Sequence, residues 1–242
     1  MKALKIIISG YGRMGHEIEK AATERGHSIV ATPDNNSDWD NIILTRDTCD
    51  VVIDFSTPDS SALVVKKCLN QGIPVVSGTT GWRDGLAEVT EMCRLSGGSF
   101  FYAPNFSIGV NIFFEINRKL ARLLTGLNYT PLLSEIHHIH KLDSPSGTAI
   151  AMANDIIAAN PYFTAWKPGN SDDKNILSVY SERTGEVPGT HFVEWKSDAD
   201  AIEIRHTAFN RKGFATGAVL AAEWLPGRTG VFGMADLLDT EP

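Results

Sequence analysis

Leu4-Lys5-Ile6-Ile7-Ile8-Ser9-Gly10-Tyr11-Gly12-Arg13-Met14-Gly15 decides the fold class. A short apolar run that ends in G-x-G-x-x-G reads as a strand buried on both faces, turning tightly into a helix. The first glycine permits the turn, the second lets the backbone approach a pyrophosphate, and the third lets helix and strand pack closely. Such a string arises by chance in glycine-containing proteins. Here Leu4 to Ser9 supplies the strand and Glu17 to Arg25 the helix, which is the context a dinucleotide site needs. Gly10, Tyr11, Gly12, Arg13, Met14 and Gly15 are therefore candidate cofactor contacts.

Downstream, Ser28 to Thr32 forms a second strand ending at Pro33-Asp34. Asp34 is either the acid that accepts the adenosine ribose hydroxyls or a turn aspartate after proline. No Arg or Lys follows it directly, so NADH is expected to be accepted at least as readily as NADPH, with Arg13 offering some help to a 2′-phosphate. Three more strands follow the same grammar. Val51 to Phe55 leads to Ser56-Thr57-Pro58-Asp59, where Thr57 is the expected cap and Pro58 the first helical residue. Ile73 to Ser77 leads to Gly78-Thr79-Thr80-Gly81, and Ser99 to Tyr102 leads to Ala103-Pro104-Asn105-Phe106. In a right-handed β-α-β series the strands point one way, so these loops gather along one sheet edge, where extended ligands bind.

The second half changes character. Val110 to Leu124 is a long amphipathic helix, and Pro131 to Ile136 a strand that delivers His137-His138-Ile139-His140-Lys141-Leu142-Asp143-Ser144-Pro145-Ser146-Gly147-Thr148. Ala149 to Ile157 then reads as a helix with Ser146 as its N-cap, leaving the N–H groups of Gly147 and Thr148 as donors at a positive helix end. Imidazoles and an ammonium beside such an end make a carboxylate-binding corner with a proton-transfer group next to it. A metal is not expected. Neighbouring side chains on a strand face opposite ways, so only His138 and His140 would share a face, and neither a nearby Cys nor a His-Glu-x-x-His spacing is present.

Pro161 to Asn175 looks like a polar surface loop. Ile176 to Arg183, His191 to Lys196 and Ala201 to Thr207 read as strands of a mixed or antiparallel sheet, the first two joined by the turn Val187-Pro188-Gly189-Thr190. Gly213 to Leu225 is a helix expected to return to the nucleotide domain. The overall expectation is α/β: a Rossmann-type parallel-sheet domain (1–106 and 216–242) and an inserted α+β substrate domain (107–215) with a mixed, largely open-faced sheet.

Bulk properties narrow the partners. The 242 residues suffice for two modest domains, and 43% apolar content is ordinary for a globular chain. A net charge of -7 with no Lys/Arg-rich run argues against nucleic acid or an anionic membrane as the main partner. Cys49, Cys68 and Cys93 form no Cys-x-x-Cys pair and are expected to be reduced, buried thiols. The apolar part of the N-terminus is too short for a signal peptide, and a soluble, cytoplasmic protein is expected.

The glycine turn 10–15, Gly78-Thr79-Thr80-Gly81, Ala103-Pro104-Asn105-Phe106-Ser107 and His137-His138-x-x-Lys141-x-Asp143-x-Pro145-Ser146-Gly147-Thr148 together resemble the dihydrodipicolinate reductase family, in order and over essentially the whole chain. The last motif is the specific one. The resemblance implies NAD(P)H-dependent hydride transfer to C4 of 4-hydroxy-tetrahydrodipicolinate with loss of water, in the diaminopimelate route to lysine, by a homotetramer. It implies His137 as acid/base group and Lys141 as proton donor, with His138, Lys141, Ser146, Gly147 and Thr148 at the small dicarboxylate substrate. The cofactor, NADH or NADPH, would lie on 10–15, Asp34, Gly78 to Thr80, and Ala103, Pro104, Asn105 and Phe106. Ile139 departs from a position that is basic or polar in many members. Competing readings are a non-catalytic NAD(H) sensor, a different aspartate-pathway dehydrogenase, and a metal hydrolase using the histidines.

Overall fold

The structure, a computed structural model, describes residues 2–238. Up to Ile108 the chain lays down β1 (Lys5–Ser9), α1 (Arg13–Glu24), β2 (Ser28–Ala31), β3 (Val51–Asp54), α2 (Pro58–Asn70), β4 (Val75–Ser77), α3 (Arg83–Ser96) and β5 (Ser99–Tyr102). Then follow α4 (Ile108–Leu123), β6 (Thr130–His137), α5 (Gly147–Ala159), β7 (Ala165–Pro168), β8 (Ile176–Arg183), β9 (Gly189–Lys196) and β10 (Ala201–Ala208). A closing segment adds α6 (Lys212–Trp224), β11 (Gly230–Phe232) and α7 (Met234–Leu238). The chain divides into two compact units, one made of residues up to Ile108 and from Arg211 on, the other of Gly109–Asn210.

The first unit is a six-stranded sheet in the order β11-β5-β4-β3-β1-β2, parallel throughout. Strands covered on both faces must be apolar along their length, and β3 and β4 are buried at every residue. One face packs Ile6, Ile8, Val51 and Ile53 against α1 and α6; the other packs Ile7, Val52, Val75 and Phe100 against α2 and α3. The order of strands reverses between β1 and β3, so the loops leaving their carboxyl ends flank a switch point. Helix α1 starts four residues earlier than its apolar periodicity suggests, because Gly12 already takes the N-cap position with φ -80 and ψ -155. Thr57 is the N-cap of α2, but its hydroxyl turns to Ser60 Oγ at 3.1 Å rather than to a backbone N–H. The sixth strand, β11, carries no alternation long enough to announce it and forms by pairing with β5.

The second unit is a five-stranded sheet in the order β10-β9-β6-β8-β7. Leu133, Leu177, Val179, Val193 and Trp195 on its inner face pack against Met152, Ala153 and Ile156 of α5. Two expectations fail here. The polar stretch 161–175 is not all loop: Ala165–Pro168 forms β7, an edge strand parallel to β8, where a proline and exposed lysine are tolerated. Nor do β8 and β9 form a hairpin across 187–190. Both flank β6, which β8 joins in parallel and β9 antiparallel. Their connection instead crosses the carboxyl end of β6, tied by Thr184 N–H to His137 O (2.8 Å) and Ile139 N–H to Gly185 O (3.2 Å). That crossing brings three strands' polar ends together.

Candidate functional site

In the first unit the candidate residues collect at the carboxyl edge of the parallel sheet. Gly10 has φ +84, and a Cβ there would stand 2.4 Å from Phe55 O, so only glycine fits the turn. A Cβ on Gly15 would stand 2.5 Å from Gly10 O, which is the close helix–strand approach expected of the third glycine. Gly12 is exposed, and a Cβ there would meet nothing within 4 Å. An open cradle at the start of α1, bare of side chain, fits a pyrophosphate. Asp34 is exposed and accepts the Tyr11 N–H at 2.7 Å, so its carboxylate belongs to the glycine turn itself. Arg13 is exposed at the first turn of α1, and Met14 packs partly against the core.

The loops after β3 and β4 are held by a residue that periodicity does not single out. Asp54 is fully buried and accepts from the hydroxyls of Ser56, Ser61, Ser77 and Thr79. Thr79 is thereby buried, while Thr80 stays exposed beside it. Gly78 lies over the Phe55 ring, 2.3 Å from where its Cβ would be. Ala103 and Phe106 are buried, and Phe106 packs its ring between Phe55 and Phe101 at centroid distances of 5.6 and 5.8 Å. Only the backbone of Phe106 is therefore available to a cofactor. Pro104 is exposed, and Asn105 Oδ1 accepts the Ser107 N–H at 2.9 Å.

In the second unit the inner face of the sheet turns from apolar to polar within one strand period. On β6 the sequence runs Leu133, Glu135, His137; on β8 it runs Val179, Ser181, Arg183; on β9, read in reverse, Val193, His191, Gly189. Register places Ser181, Glu135 and His191 side by side, with Arg183 next to His137 one period on. Gly189 leaves room for the His137 ring, whose Cε1 lies 2.9 Å from where a Cβ would be. Strand β6 ends at His137, so His138 to Lys141 turn away instead of continuing a strand, closed by Lys141 N–H to His138 O at 3.2 Å. His138 and His140 still come near one another, at a ring distance of 6.1 Å, and His138 keeps a buried Nδ1 without a hydrogen-bond partner.

The carboxylate of Glu135 joins these pieces. Its Oε1 accepts from Ser146 N–H (2.9 Å), Ser181 Oγ (2.8 Å) and Arg183 Nη2 (3.2 Å). Its Oε2 lies 3.3 Å from His137 Nε2 and 3.5 Å from His191 Nε2. Burial opposes its ionisation, but the close approach of His137 and His191, with hydrogen bonds from Ser146 and Ser181, overcomes that and holds the carboxyl far below its ordinary range. Burial, reinforced by the neighbouring His137, pushes the His191 imidazole below its ordinary value even though Glu135 pulls the other way. Ser146 is the N-cap of α5, its Oγ accepting Ala149 N–H at 3.2 Å. Lys141 pairs with Asp143 at 2.8 and 3.0 Å; that pairing, with further help from the Gly147 backbone, holds the Asp143 carboxyl below its usual range. The corner at the start of α5 thus already receives one carboxylate, that of Asp143.

Glu135, His137 and His191 are also the one group among the described residues whose ligand atoms cluster closely enough to hold a metal ion, all within 4.8 Å. Their carboxylate already answers the Arg183 guanidinium. Glu135, Arg183 and His191 escape a motif reading because they are brought in by sheet register; the shared apolar-to-polar switch on three strands was the available signal. The three cysteines are free and buried, and burial pushes the Cys49 thiol up to about 11. No helix among the described residues is long and apolar enough to cross a membrane.

Comparison with known proteins agrees across the chain. Residues 4–106 match the family description "Dihydrodipicolinate reductase, N-terminus", and residues 109–238 match "Dihydrodipicolinate reductase, C-terminus". The 4-hydroxy-tetrahydrodipicolinate reductase of Christiangramia forsetii is 47% identical over 236 residues, covering 97% of this chain and 98% of the relative. That of Neisseria meningitidis serogroup B is 31% identical, with 98% of each chain covered. Among solved structures, the dipicolinate-bound dihydrodipicolinate reductase of Paenisporosarcina sp. TG-14 superposes with a TM-score of 0.77 over 97% of this chain and 99% of that one, at 22% identity.

Proposed function

Because the chain belongs to the dihydrodipicolinate reductase family, we propose that its first unit (up to Ile108 and from Arg211 on) holds the nicotinamide cofactor and its second (Gly109–Asn210) the dicarboxylate substrate, the return to the first unit coming a few residues before the expected 216. The chain is an oxidoreductase that reduces 4-hydroxy-tetrahydrodipicolinate to tetrahydrodipicolinate, using a nicotinamide cofactor, in the diaminopimelate route to lysine.

The bound nicotinamide supplies a hydride; this chain supplies position, field and protons. Gly10 to Gly15 receive the pyrophosphate at the start of α1, and the loops Gly78 to Thr80 and Ala103 to Phe106 bear on the rest of the cofactor, the last through backbone. Asp34 meets the ribose, and its negative charge supports NADH being used at least as well as NADPH, which would place a second anion there. The substrate is a dianion and needs two anion subsites. Lys141 and the N–H groups at Gly147 and Thr148 supply them, with Lys141 exchanging Asp143 for a substrate carboxylate and His138 flanking it. Net reduction consumes one proton as the hydroxyl leaves as water. His137 delivers it from the end of β6, seconded by Lys141. The observation that carries this reading is the convergence of His137, the Arg183-clasped loop that bears Lys141, and the capped start of α5 on one buried carboxylate, Glu135.

The partner and compartment follow the same line. The edge strand β10 exposes Ile202, which supports self-association of the sheet into a homotetramer. Free, buried thiols support a reducing cytoplasm. His137→Ala tests the central role: NADH affinity should stay within about twofold while turnover falls by about two orders of magnitude or more. Unchanged turnover would remove His137 from the chemistry.

A further inference from the structure

Glu135 and His191 sit beside His137 with no part in the chemistry just assigned, and Glu135 is the most deeply buried charge in the second unit. It has no exposed side-chain surface, and its Oε2 is buried without a conventional hydrogen-bond partner. The Nε2 atoms of His137 and His191 are 3.3 Å apart and both face that oxygen. Two imidazoles therefore compete for one carboxylate oxygen.

We propose that Glu135 and His191 are positioning residues for His137: the carboxylate holds a proton on the imidazole pair, and His191 leaves that proton with His137. The proposal rests on His137 being the acid/base group. Two protonated imidazoles 3.3 Å apart would repel, so the pair carries one extra proton. His191 is the poorer site for it, because its Nε2 is shared with Ser146 Oγ at 3.3 Å and lies farther from Glu135 Oε2. His137 is comparably buried but stands nearer the carboxylate, 3.3 Å from Glu135 Oε2 against 3.5 Å for His191.

The surrounding charges are consistent with one proton. From β8, Arg183 places its guanidinium on Glu135 Oε1 and also donates to the Asp143 carbonyl, clasping the 141–143 loop. From that loop, Lys141 is neutralised by Asp143. From β10, His206 is held below its ordinary value by burial and by His191. From α5, Ser146 contributes an N–H and a hydroxyl, both uncharged. Glu135 Oε2 is thus left to the two imidazoles.

Glu135→Gln keeps the shape and an acceptor while removing the charge. His137 then loses its proton at lower pH, so the alkaline limb of the kcat profile should move down by about one pH unit and turnover at neutral pH should fall about tenfold. His191→Asn removes the competitor, so the same limb should stay or move up. A downward displacement from one substitution with none from its neighbour is not what general loosening produces. Binding of NADH should be unchanged in both. A readout free of turnover is the 15N titration of the His137 ring in the substrate-free protein, which should move in the same directions and is measurable in a sluggish variant. If both variants keep the wild-type profile and ring titration, scaled only in rate, the proposal is overturned. If the ring titration moves while His137→Ala retains turnover, the coupling stands and the catalytic reading fails instead.

Discussion

Gly12→Ala separates cofactor recognition from folding more cleanly than any other change in the glycine turn. A methyl group at Gly12 meets no atom within 4 Å, and φ -80 with ψ -155 is open to alanine. Alanine is a poorer N-cap than glycine by up to about 1 kcal/mol, but removing glycine also lowers unfolded-state entropy by about 0.4–1 kcal/mol. The two nearly cancel, so Tm should move by no more than about 3 °C in a chain of this size. A bound pyrophosphate, in contrast, must stand off from the amides that start α1. Losing one charge-assisted hydrogen bond there costs about 1.5–3 kcal/mol, or roughly 10- to 150-fold in affinity. NADH fluorescence titration and thermal melting of the same sample measure the two effects. NADPH should weaken in parallel, since the pyrophosphate is common to both. Gly10→Ala is the contrasting case: its Cβ would lie 2.4 Å from a backbone oxygen at φ +84, so folding itself should suffer. Full NADH affinity in a normally folded Gly12→Ala would refute the placement of the phosphates at this turn.

Lys141→Ala should raise KM for the substrate by at least about tenfold with NADH affinity retained, because the ammonium belongs to the second unit and offers a carboxylate site there; a defect confined to the cofactor would contradict that assignment. Acid should weaken the second unit through Glu135. Its carboxyl is depressed from an ordinary 4.5, so the stability it contributes is complete above that pH and is lost as pH falls below it. The gap in urea midpoint between wild type and Glu135→Gln should therefore narrow progressively as pH falls from about 5 to 3, and a constant gap would contradict the linkage.

The first unit was legible because its signals are local. A strand, three spaced glycines and a helix lie consecutively, and β1, β3 and β4 are largely apolar runs, so these strands could be told from loops by composition, whereas β11 could not. Asp54 was not legible, since its four hydroxyl partners come from Ser56, Ser61, Ser77 and Thr79 on different elements. In the second unit, short range misleads. The turn at Pro188-Gly189 has hairpin composition, yet β8 and β9 part to let β6 between them, because the Leu133 face gains two apolar neighbours that way. β7 was hidden by Lys167 and Pro168, which an edge strand tolerates and a central one would not. The candidates His137 and Lys141 stand in a motif of their own. The groups that surround them, Glu135, Arg183 and His191, are assembled only by register, which no single segment encodes.

Direct hydride delivery to the acid held at the His137–Lys141 corner is tested by following the label from NADH carrying deuterium at both hydrogen positions of the nicotinamide C4. Tetrahydrodipicolinate formed by the wild-type chain should carry that deuterium at its own C4, with the accompanying proton drawn from solvent. Product free of deuterium, or label appearing in water while product forms at the normal rate, would contradict it.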